Sequence, residues 1–285
     1  MIYSPDIRIP AVFALVAGII GAFAGSLPAL SQSRYMGEGY FETAMEKYVQ
    51  GLYDEAIPIY RKFLELAPHD FQGYYFLARC YGFIGDGGNA RKYFERSLEI
   101  IPDNYDANYN YGVLLLYLGD YDGALALFGK AHASIPKLGD AVVQMGNVWR
   151  CRKDYGKAME YYRRAMRIEP GLVDPYIAAG IALREQGDIA GAFRSFQGGL
   201  KKKPGDPRTL YEIGNTLRRT GDLSGAQESY EKAAAGRPGF AEALNAEGEV
   251  CLEQGNHERA RELFKKANAA NPWYRPASEN LKKTR

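Results

Sequence analysis

Seven prolines in this chain of 285 residues lie 34 residues apart without interruption, and this spacing constrains the fold more than any other feature. They are Pro68, Pro102, Pro136, Pro170, Pro204, Pro238 and Pro272. A fixed period of this length is typical of helical arrays, in which a unit too small to bury its own apolar face packs on its neighbours. The sequence therefore predicts an array of equal units rather than one globular core.

Other positions recur in the same register. Counting back from the prolines defines units at 37–70, 71–104, 105–138, 139–172, 173–206, 207–240 and 241–274. In every unit position 8 is Ala or Gly, position 20 is Ala, position 24 is Tyr or Phe, and position 32 is the proline. Position 15 is glycine in six units, and Lys153 replaces it in the fourth.

Each recurring residue has a physical reason. Glycine at position 15 takes the left-handed conformation that ends a helix. Position 16 is Asp or Asn in six units and can cap a second helix. The alanine and the aromatic residue lie four residues apart, so they share one face of that second helix, where a neighbouring helix can approach closely. The proline ends the unit because it cannot continue a helix interior.

The pattern resembles the tetratricopeptide repeat over residues 37–274. The third unit carries the family's residues as Gly112, Tyr121, Ala124, Phe128, Ala131 and Pro136. Thr43, Lys47 and Glu247 depart from it, since they stand where the family usually places apolar residues. The resemblance implies an all-α, right-handed superhelical solenoid of seven antiparallel helix pairs, with a concave groove that binds a protein or peptide. Residues 275–285 are predicted to form a cap with a short helix that begins near Pro276.

Residues 1–36 lie outside the period and predict a membrane segment. No charged residue occurs from Ile9 to Leu30, and a helix over residues 10–27 is about 27 Å long, close to the thickness of the bilayer hydrocarbon. Two alternatives remain open: an uncleaved signal anchor, which the long apolar run favours, or a signal peptide cleaved after Ala24 or Ser31. The flanking charges place the repeats of an anchored chain on the extracytoplasmic side, and cleavage gives a secreted or periplasmic protein.

The net charge and the positions of the histidines and cysteines argue against several classes of function. The net charge is +2, with 36 basic and 34 acidic residues, so a nucleic-acid partner is not favoured. The three histidines fall in different repeats, and neither a phosphate-binding loop nor a metal-spaced cluster occurs, so we expect no enzyme, cofactor or metal. Cys80, Cys151 and Cys251 also lie in separate repeats, and we expect all three to be buried, unpaired and apolar in role.

The resemblance assigns positions 2, 5, 9, 12 and 13 of each first helix to the groove. Position 5 is mostly aromatic or branched, and position 12 is arginine in repeats four to six. Aromatic rings suit apolar groups and arginines suit carboxylates, so both suit a peptide that carries the two. The predicted peptide-binding residues are Tyr75, Tyr109, Tyr117, Asn147, Arg150, Arg184, Tyr211, Asn215, Arg218 and Arg219.

An alternative remains for the arginines, because they can pair within the groove with acidic neighbours such as Asp140, Asp174, Glu185 and Glu212. The functional prediction is a membrane-tethered, non-enzymatic scaffold that binds a partner polypeptide in its groove. The alternatives are a structural protein that assembles with itself as a homo-oligomer, or a soluble secreted repeat protein.

Overall fold

The computed structural model describes residues 29–284, and the predicted membrane segment at residues 10–27 lies outside them. The described part is all α, with fifteen helices and no strand, as the repeat pattern predicts. None of these helices is both long and apolar enough to cross a membrane.

The helices follow one another with short connections. They are α1 Ala29–Val49, α2 Tyr53–Leu66, α3 Phe71–Phe83, α4 Gly87–Ile100, α5 Tyr105–Tyr117, α6 Tyr121–Ser134, α7 Asp140–Cys151, α8 Tyr155–Ile168, α9 Asp174–Gln186, α10 Ile189–Lys202, α11 Pro207–Arg219, α12 Leu223–Gly236, α13 Ala241–Glu253, α14 His257–Ala270 and α15 Arg275–Lys283. The even-numbered helices from α2 to α14 begin every 34 residues. Helix α1 begins eight residues before the predicted first repeat.

The chain divides into two compact halves, one ending at Ile135 and one beginning at Pro136. The N-terminal half holds α1–α6, and the C-terminal half holds α7–α15. Within each half every odd-numbered helix up to α13 packs on the helix that follows it, and the resulting pairs pack on their neighbours. Each half is thus a stack of helix pairs.

The turn between the two helices of a repeat has the predicted geometry. The six glycines at position 15 have φ between +77° and +94°. Lys153, the exception, has φ +62° and is the one non-glycine residue with positive φ in the described chain. The next side chain caps the second helix: Asp86, for example, accepts the backbone N–H of Asn89 at 3.0 Å. A lysine in this conformation costs about 1–2 kcal/mol relative to glycine.

The recurring alanine and aromatic side chains form the core, as predicted. All seven alanines at position 20 and all seven rings at position 24 are fully buried. The glycine at position 8 faces the ring of its own repeat, since a Cβ on Gly214 would lie 2.6 Å from Cε1 of Tyr230, and one on Gly248 would lie 2.6 Å from Cε1 of Phe264. In these repeats the small residue is therefore required by the ring.

The cysteines correct one prediction. Cys80 and Cys251 are buried, and burial raises the pKa of Cys80 to about 12. Cys151 is exposed, so the expectation that all three thiols are buried is wrong for it. It is the last residue of α7 and lies at position 13 of its repeat.

The last repeat buries a carboxylate at position 7. The residue is Glu247, which is 2 % exposed and lies 3.3 Å from the Arg259 guanidinium. Burial raises the pKa of Glu247 above its ordinary value, and the charge of Arg259 only partly offsets this. Helix α15 then covers α13 and α14: Ala277 is fully buried, and Asn280 donates to Asn245 Oδ1 and Glu249 Oε1, both at 3.1 Å.

Candidate binding faces of the two halves

The first helices of the N-terminal half carry a connected set of aromatic rings. Tyr48 packs edge-on against Tyr53 at 5.6 Å and Phe76 at 5.3 Å between ring centroids, and Tyr53 stacks on Phe83 at 4.4 Å. Phe76 also stacks on the buried Tyr60 at 6.1 Å. We call the surface formed by Tyr48, Phe76, Phe83, Tyr109 and Tyr117 the aromatic face. Tyr48, Phe76 and Phe83 are held by one another and by Tyr53, and Tyr109 by Phe128, so these four rings have little side-chain entropy left to lose on binding.

A buried arginine lies within this set of rings. Arg79 is 8 % exposed, and its guanidinium carbon lies 5.1 Å from the ring centroid of Tyr48, 5.5 Å from that of Tyr75 and 5.7 Å from that of Phe83. The guanidinium also donates to Tyr75 Oη at 3.2 Å. Cation–π contacts of this kind are worth about 2 kcal/mol when they are desolvated. The sequence prediction did not include Arg79, although it stands at groove position 9.

Of the aromatic residues predicted here to bind a ligand, one is corrected. Tyr75 is 8 % exposed, and its hydroxyl already accepts from Asn110 at 3.0 Å as well as from Arg79. It therefore holds the arginine in place rather than offering its ring to a partner. Tyr109 is half-buried against Phe128, with 5.8 Å between ring centroids, whereas Tyr117 is 60 % exposed.

Exposed apolar side chains border the aromatic face at the ends of α1, α3 and α5. They occupy position 13 of the first three repeats and position 14 of the second and third, where the first repeat has Gln50. We call the row the apolar edge: Val49, Phe83, Ile84, Tyr117 and Leu118, of which Phe83 is half-buried and the other four are exposed. Val49 is 62 % exposed, Ile84 41 % and Leu118 47 %. Reading positions 13 and 14 down the repeats would have revealed this row, because each of its members is apolar or aromatic.

The C-terminal half has a different first-helix surface. Each arginine at position 12 of repeats four to six pairs there with a glutamate of the following repeat. Arg150 lies 2.5 Å from Glu185, and Arg184 lies 2.8 Å from Glu212. Arg218 lies 2.5 Å from both Glu249 and Glu253. The pairs form a ladder that ties four successive repeats together. The alternative prediction holds for Glu185 and Glu212, whereas Asp174 pairs with Arg208 at 2.8 Å.

The ladder is shielded from solvent to different extents. Arg184 and Glu212 have side chains only 14 % and 16 % exposed, and Arg184 also donates to Thr216 Oγ1 at 3.1 Å. Burial lowers the pKa of Arg150, but the groups around it, Glu185 foremost, outweigh burial and the pKa is raised. Each of these arginines is thus paired with glutamate of its own chain before any ligand is bound. Arg219 is exposed and lies outside the ladder.

The remaining predicted residues of this half serve its packing. Asn147 Oδ1 accepts from Tyr162 Oη at 2.9 Å, and Asn215 Oδ1 accepts from Tyr230 Oη at 2.8 Å. Both tyrosines are fully buried, so each amide satisfies a hydroxyl that has no access to water. Tyr211 packs between Tyr230 and Phe240, at 5.7 and 5.4 Å between ring centroids. The sequence contains the relevant pattern, because asparagine at position 9 accompanies tyrosine at position 24 in these two repeats.

Comparison with known proteins places this architecture in a family. Models of the tetratricopeptide repeat match residues 41–104, 85–145, 152–171 and 211–272. The chain belongs to the tetratricopeptide repeat family. Proteins of this family generally mediate protein–protein interactions, and the fold is typically a non-catalytic scaffold. No curated protein matches the sequence.

Solved tetratricopeptide repeat structures show the same fold at low identity. One from Parabacteroides merdae ATCC 43184 is 19 % identical with a TM-score of 0.64, covering 89 % of this chain and 99 % of its own. Yeast Tom70 is 17 % identical with a TM-score of 0.75, covering 90 % of this chain and 54 % of its own. MamA from Desulfovibrio magneticus RS-1, from residue 41 to its end, is 19 % identical with a TM-score of 0.52, covering 59 % and 94 %.

The two halves of this tetratricopeptide repeat array thus offer different chemistry. The N-terminal half presents rings and exposed apolar side chains, whereas the C-terminal half presents arginines that are already neutralised. No group of His, Cys, Asp and Glu within residues 29–284 has the geometry to hold a metal ion. The surfaces of the described chain are suited to binding a polypeptide.

Proposed function

We propose that the protein is a non-enzymatic scaffold that binds a partner polypeptide on the first-helix surface of its repeats, with the main contacts on the aromatic face. The supporting observation is Tyr117, an aromatic side chain that is 60 % exposed at the end of α5, in the half of the chain whose other first-helix rings are packed. Exposed aromatic side chains on a rigid support are the residues that most often dominate the energy of protein interfaces.

The ion-pair ladder supports this choice of surface. An acidic group of a partner gains little from Arg184, because displacing Glu212 leaves a carboxylate that is 84 % shielded from water without its cation. The ladder instead stiffens the C-terminal half, since every rung joins one repeat to the next. The proposal therefore assigns peptide contact to Tyr109 and Tyr117, and a structural role to Arg150, Arg184 and Arg218.

The proposal includes a membrane tether formed by residues 10–27, with the repeats on the extracytoplasmic side. It rests on the uncharged stretch from Ile9 to Leu30 and on the charges that flank it. Helix α1 begins at Ala29, two residues after the end of the proposed tether at residue 27. Edman sequencing of the protein from native membranes tests the tether: an N-terminus at Met1 is expected, and one at Gly25 or Gln32 contradicts it.

Photo-crosslinking tests the binding face. The full-length protein carries p-benzoylphenylalanine in place of Tyr117, which preserves the aromatic shape, and is irradiated in native membranes. We expect a discrete adduct with one polypeptide. The matched control carries the same probe at Arg219, which is also exposed and also stands at position 13 of its repeat. No adduct at residue 117, or the same adduct at both residues, contradicts the proposal.

Self-assembly is a second candidate, favoured by an asymmetry of charge. Residues 29–135 contain 9 Lys and Arg against 14 Asp and Glu, a net charge of −5, and residues 136–285 contain 26 against 19, a net charge of +7. Opposite charges on the two halves favour head-to-tail association between copies. Sedimentation of the full-length protein in detergent, at low and high salt, is the test. A monomer at every concentration removes this candidate.

A further inference from the structure

We propose that the apolar edge docks an amphipathic helix of the partner, and that the polar side of this helix is basic. The inference rests on the proposed function and names the class of partner. The apolar edge consists of Val49, Phe83, Ile84, Tyr117 and Leu118, whose exposed fractions reach 62 % at Val49 and 60 % at Tyr117. Four exposed apolar side chains in one row on the surface of a repeat array mark an interaction surface.

The row has the dimensions of a helix. It takes one or two residues from the ends of three successive first helices, and α3 contacts α5 directly. Packed helices lie about 8–10 Å apart, so three of them in a row extend over about 20 Å. A helix of about 13 residues covers that length at 1.5 Å per residue. Apolar side chains at spacings of three and four residues along one face of that helix would contact the row.

The charges around the apolar edge select a basic partner. Five carboxylates flank it on the same helix ends and turns: Glu46, Asp54, Glu55, Asp86 and Asp120. Three cations lie there as well: Lys47 is 2.6 Å from Glu55, Arg91 is 3.4 Å from Asp120, and the buried Arg79 guanidinium is 5.7 Å from the Phe83 ring. The backbone N–H of Asn89 lowers the pKa of Asp86, which keeps that carboxylate charged near neutral pH. The excess of carboxylates therefore attracts lysine and arginine on the partner.

The equivalent positions in the C-terminal half show that the row is not a general property of the repeat. They are Cys151 and Arg152, Glu185 and Gln186, Arg219 and Thr220, and Glu253 and Gln254. None of these eight is a large apolar residue. The repeat fold thus accepts polar side chains at positions 13 and 14, so burial in the array does not account for apolar ones in the first three repeats.

Position along the chain favours a polypeptide over a lipid surface as the occupant. Val49 stands 20 residues after Ala29 on one continuous helix, about 30 Å from its start. A membrane that holds residues 10–27 is therefore near the opposite end of α1. The uncharged segment before α1 is a competing occupant, as is a second copy of the chain, and the experiment separates these from a basic helix.

Peptide binding is the first arm of the test. The full-length protein is placed in phosphatidylcholine nanodiscs and titrated with a fluorescent 16-residue helical peptide, leucine on one face and lysine on the other. The matched peptide carries glutamate in place of lysine. We expect the lysine peptide to bind at least tenfold more tightly in 50 mM salt, and the difference to shrink in 500 mM salt. Equal affinities, or no binding of the lysine peptide, overturn the inference.

Variants and crosslinks form the second arm of the test. Val49→Gln and Tyr117→Gln are each expected to weaken the lysine peptide about five- to tenfold, since each removes an apolar contact from an exposed site. Arg219→Gln is the control and should leave the affinity unchanged. The adduct formed at residue 117 in native membranes should map to a lysine- or arginine-rich amphipathic segment. An acidic partner segment, a second copy or the chain's own residues 1–28 overturns the inference, whereas absence of any adduct contradicts the proposed function itself.

Discussion

The ion-pair ladder makes a quantitative prediction at Arg184. Replacing Arg184 by alanine removes its 2.8 Å contact with Glu212 and its 3.1 Å hydrogen bond to Thr216 Oγ1, both in the next repeat. Breaking a fully buried pair costs about 3–5 kcal/mol, mainly because the remaining charge loses its partner. The two side chains here keep 14 % and 16 % of their exposure. We therefore expect Arg184→Ala to destabilise the C-terminal half by about 2–3 kcal/mol.

Two other arginines calibrate this value. The Arg218 side chain is 31 % exposed, and its partners Glu249 and Glu253 are 31 % and 41 % exposed. Solvent screens such pairs, so Arg218→Ala should cost about 1 kcal/mol. Arg219 is exposed and outside the ladder, and Arg219→Ala should leave stability within experimental error. The predicted order of destabilisation is thus Arg184, Arg218, Arg219.

Urea denaturation of the full-length protein in detergent measures the order. Far-UV circular dichroism reports all helices, and fluorescence of Trp149, which is half-buried beneath Lys157 at 4.0 Å from its ring centroid, reports the C-terminal half. Repeat arrays can unfold in several steps, so the comparison uses the transition seen by both probes. If Arg184→Ala changes the free energy of unfolding as little as Arg219→Ala does, the ladder does not stabilise the array. Its arginines then become candidates for ligand binding again.

Three further changes test the repeat geometry by the same unfolding assay. Lys153→Gly should stabilise the protein by about 1 kcal/mol, because glycine takes positive φ without the steric cost that lysine meets. Gly214→Ala should destabilise it by about 1–2 kcal/mol, because the new methyl group would lie 2.6 Å from Tyr230. Glu247→Gln should stabilise it at pH 7, and the gain should vanish below about pH 4, where the glutamate is protonated in the unfolded chain as well.

Each change has a matched control. Arg152→Gly alters the neighbouring residue, whose φ is −74°, and should not stabilise. Gly156→Ala lies in α8, where the nearest atom to a new methyl is 3.6 Å away, and should stabilise through helix propensity. For Glu247 the sign follows from its raised pKa: the folded state binds the proton more tightly, so stability falls as pH rises from the unfolded pKa to the folded one. A Glu247→Gln gain at pH 3 equal to that at pH 7 contradicts this assignment.

Periodic residues made much of the fold predictable. A glycine at position 15, an alanine at position 20 and a ring at position 24 each have one local role, and repetition confirms that role several times in one chain. The helix-capping Asp or Asn after position 15 follows from its place alone. Features that occur once were harder to predict, as Cys151 shows: its helix was expected correctly, but which side of that helix faces outward depends on packing.

The binding face was predicted less well, because side-chain partners come from different repeats. Arg150 and Arg184 were correctly placed at the same position of successive repeats. Whether such an arginine contacts a ligand or a glutamate depends on how neighbouring repeats pack on each other, which is a tertiary property. Tyr75 was expected to be open, and the structure buries it around Arg79. Of the apolar edge, Tyr117 was predicted as a binding residue, whereas Val49, Ile84 and Leu118 were not. Position 14 was not assigned to the groove, and position 13 was read for aromatic residues and arginines rather than for exposed apolar side chains.

The most direct test of the central claim is the photo-crosslink at Tyr117 in native membranes, read beside the identical probe at Arg219. If the aromatic face of the N-terminal half is the binding surface, the probe at residue 117 gives one discrete polypeptide adduct and the probe at residue 219 does not. An adduct at residue 219 alone would place the partner on the C-terminal half and would contradict the account.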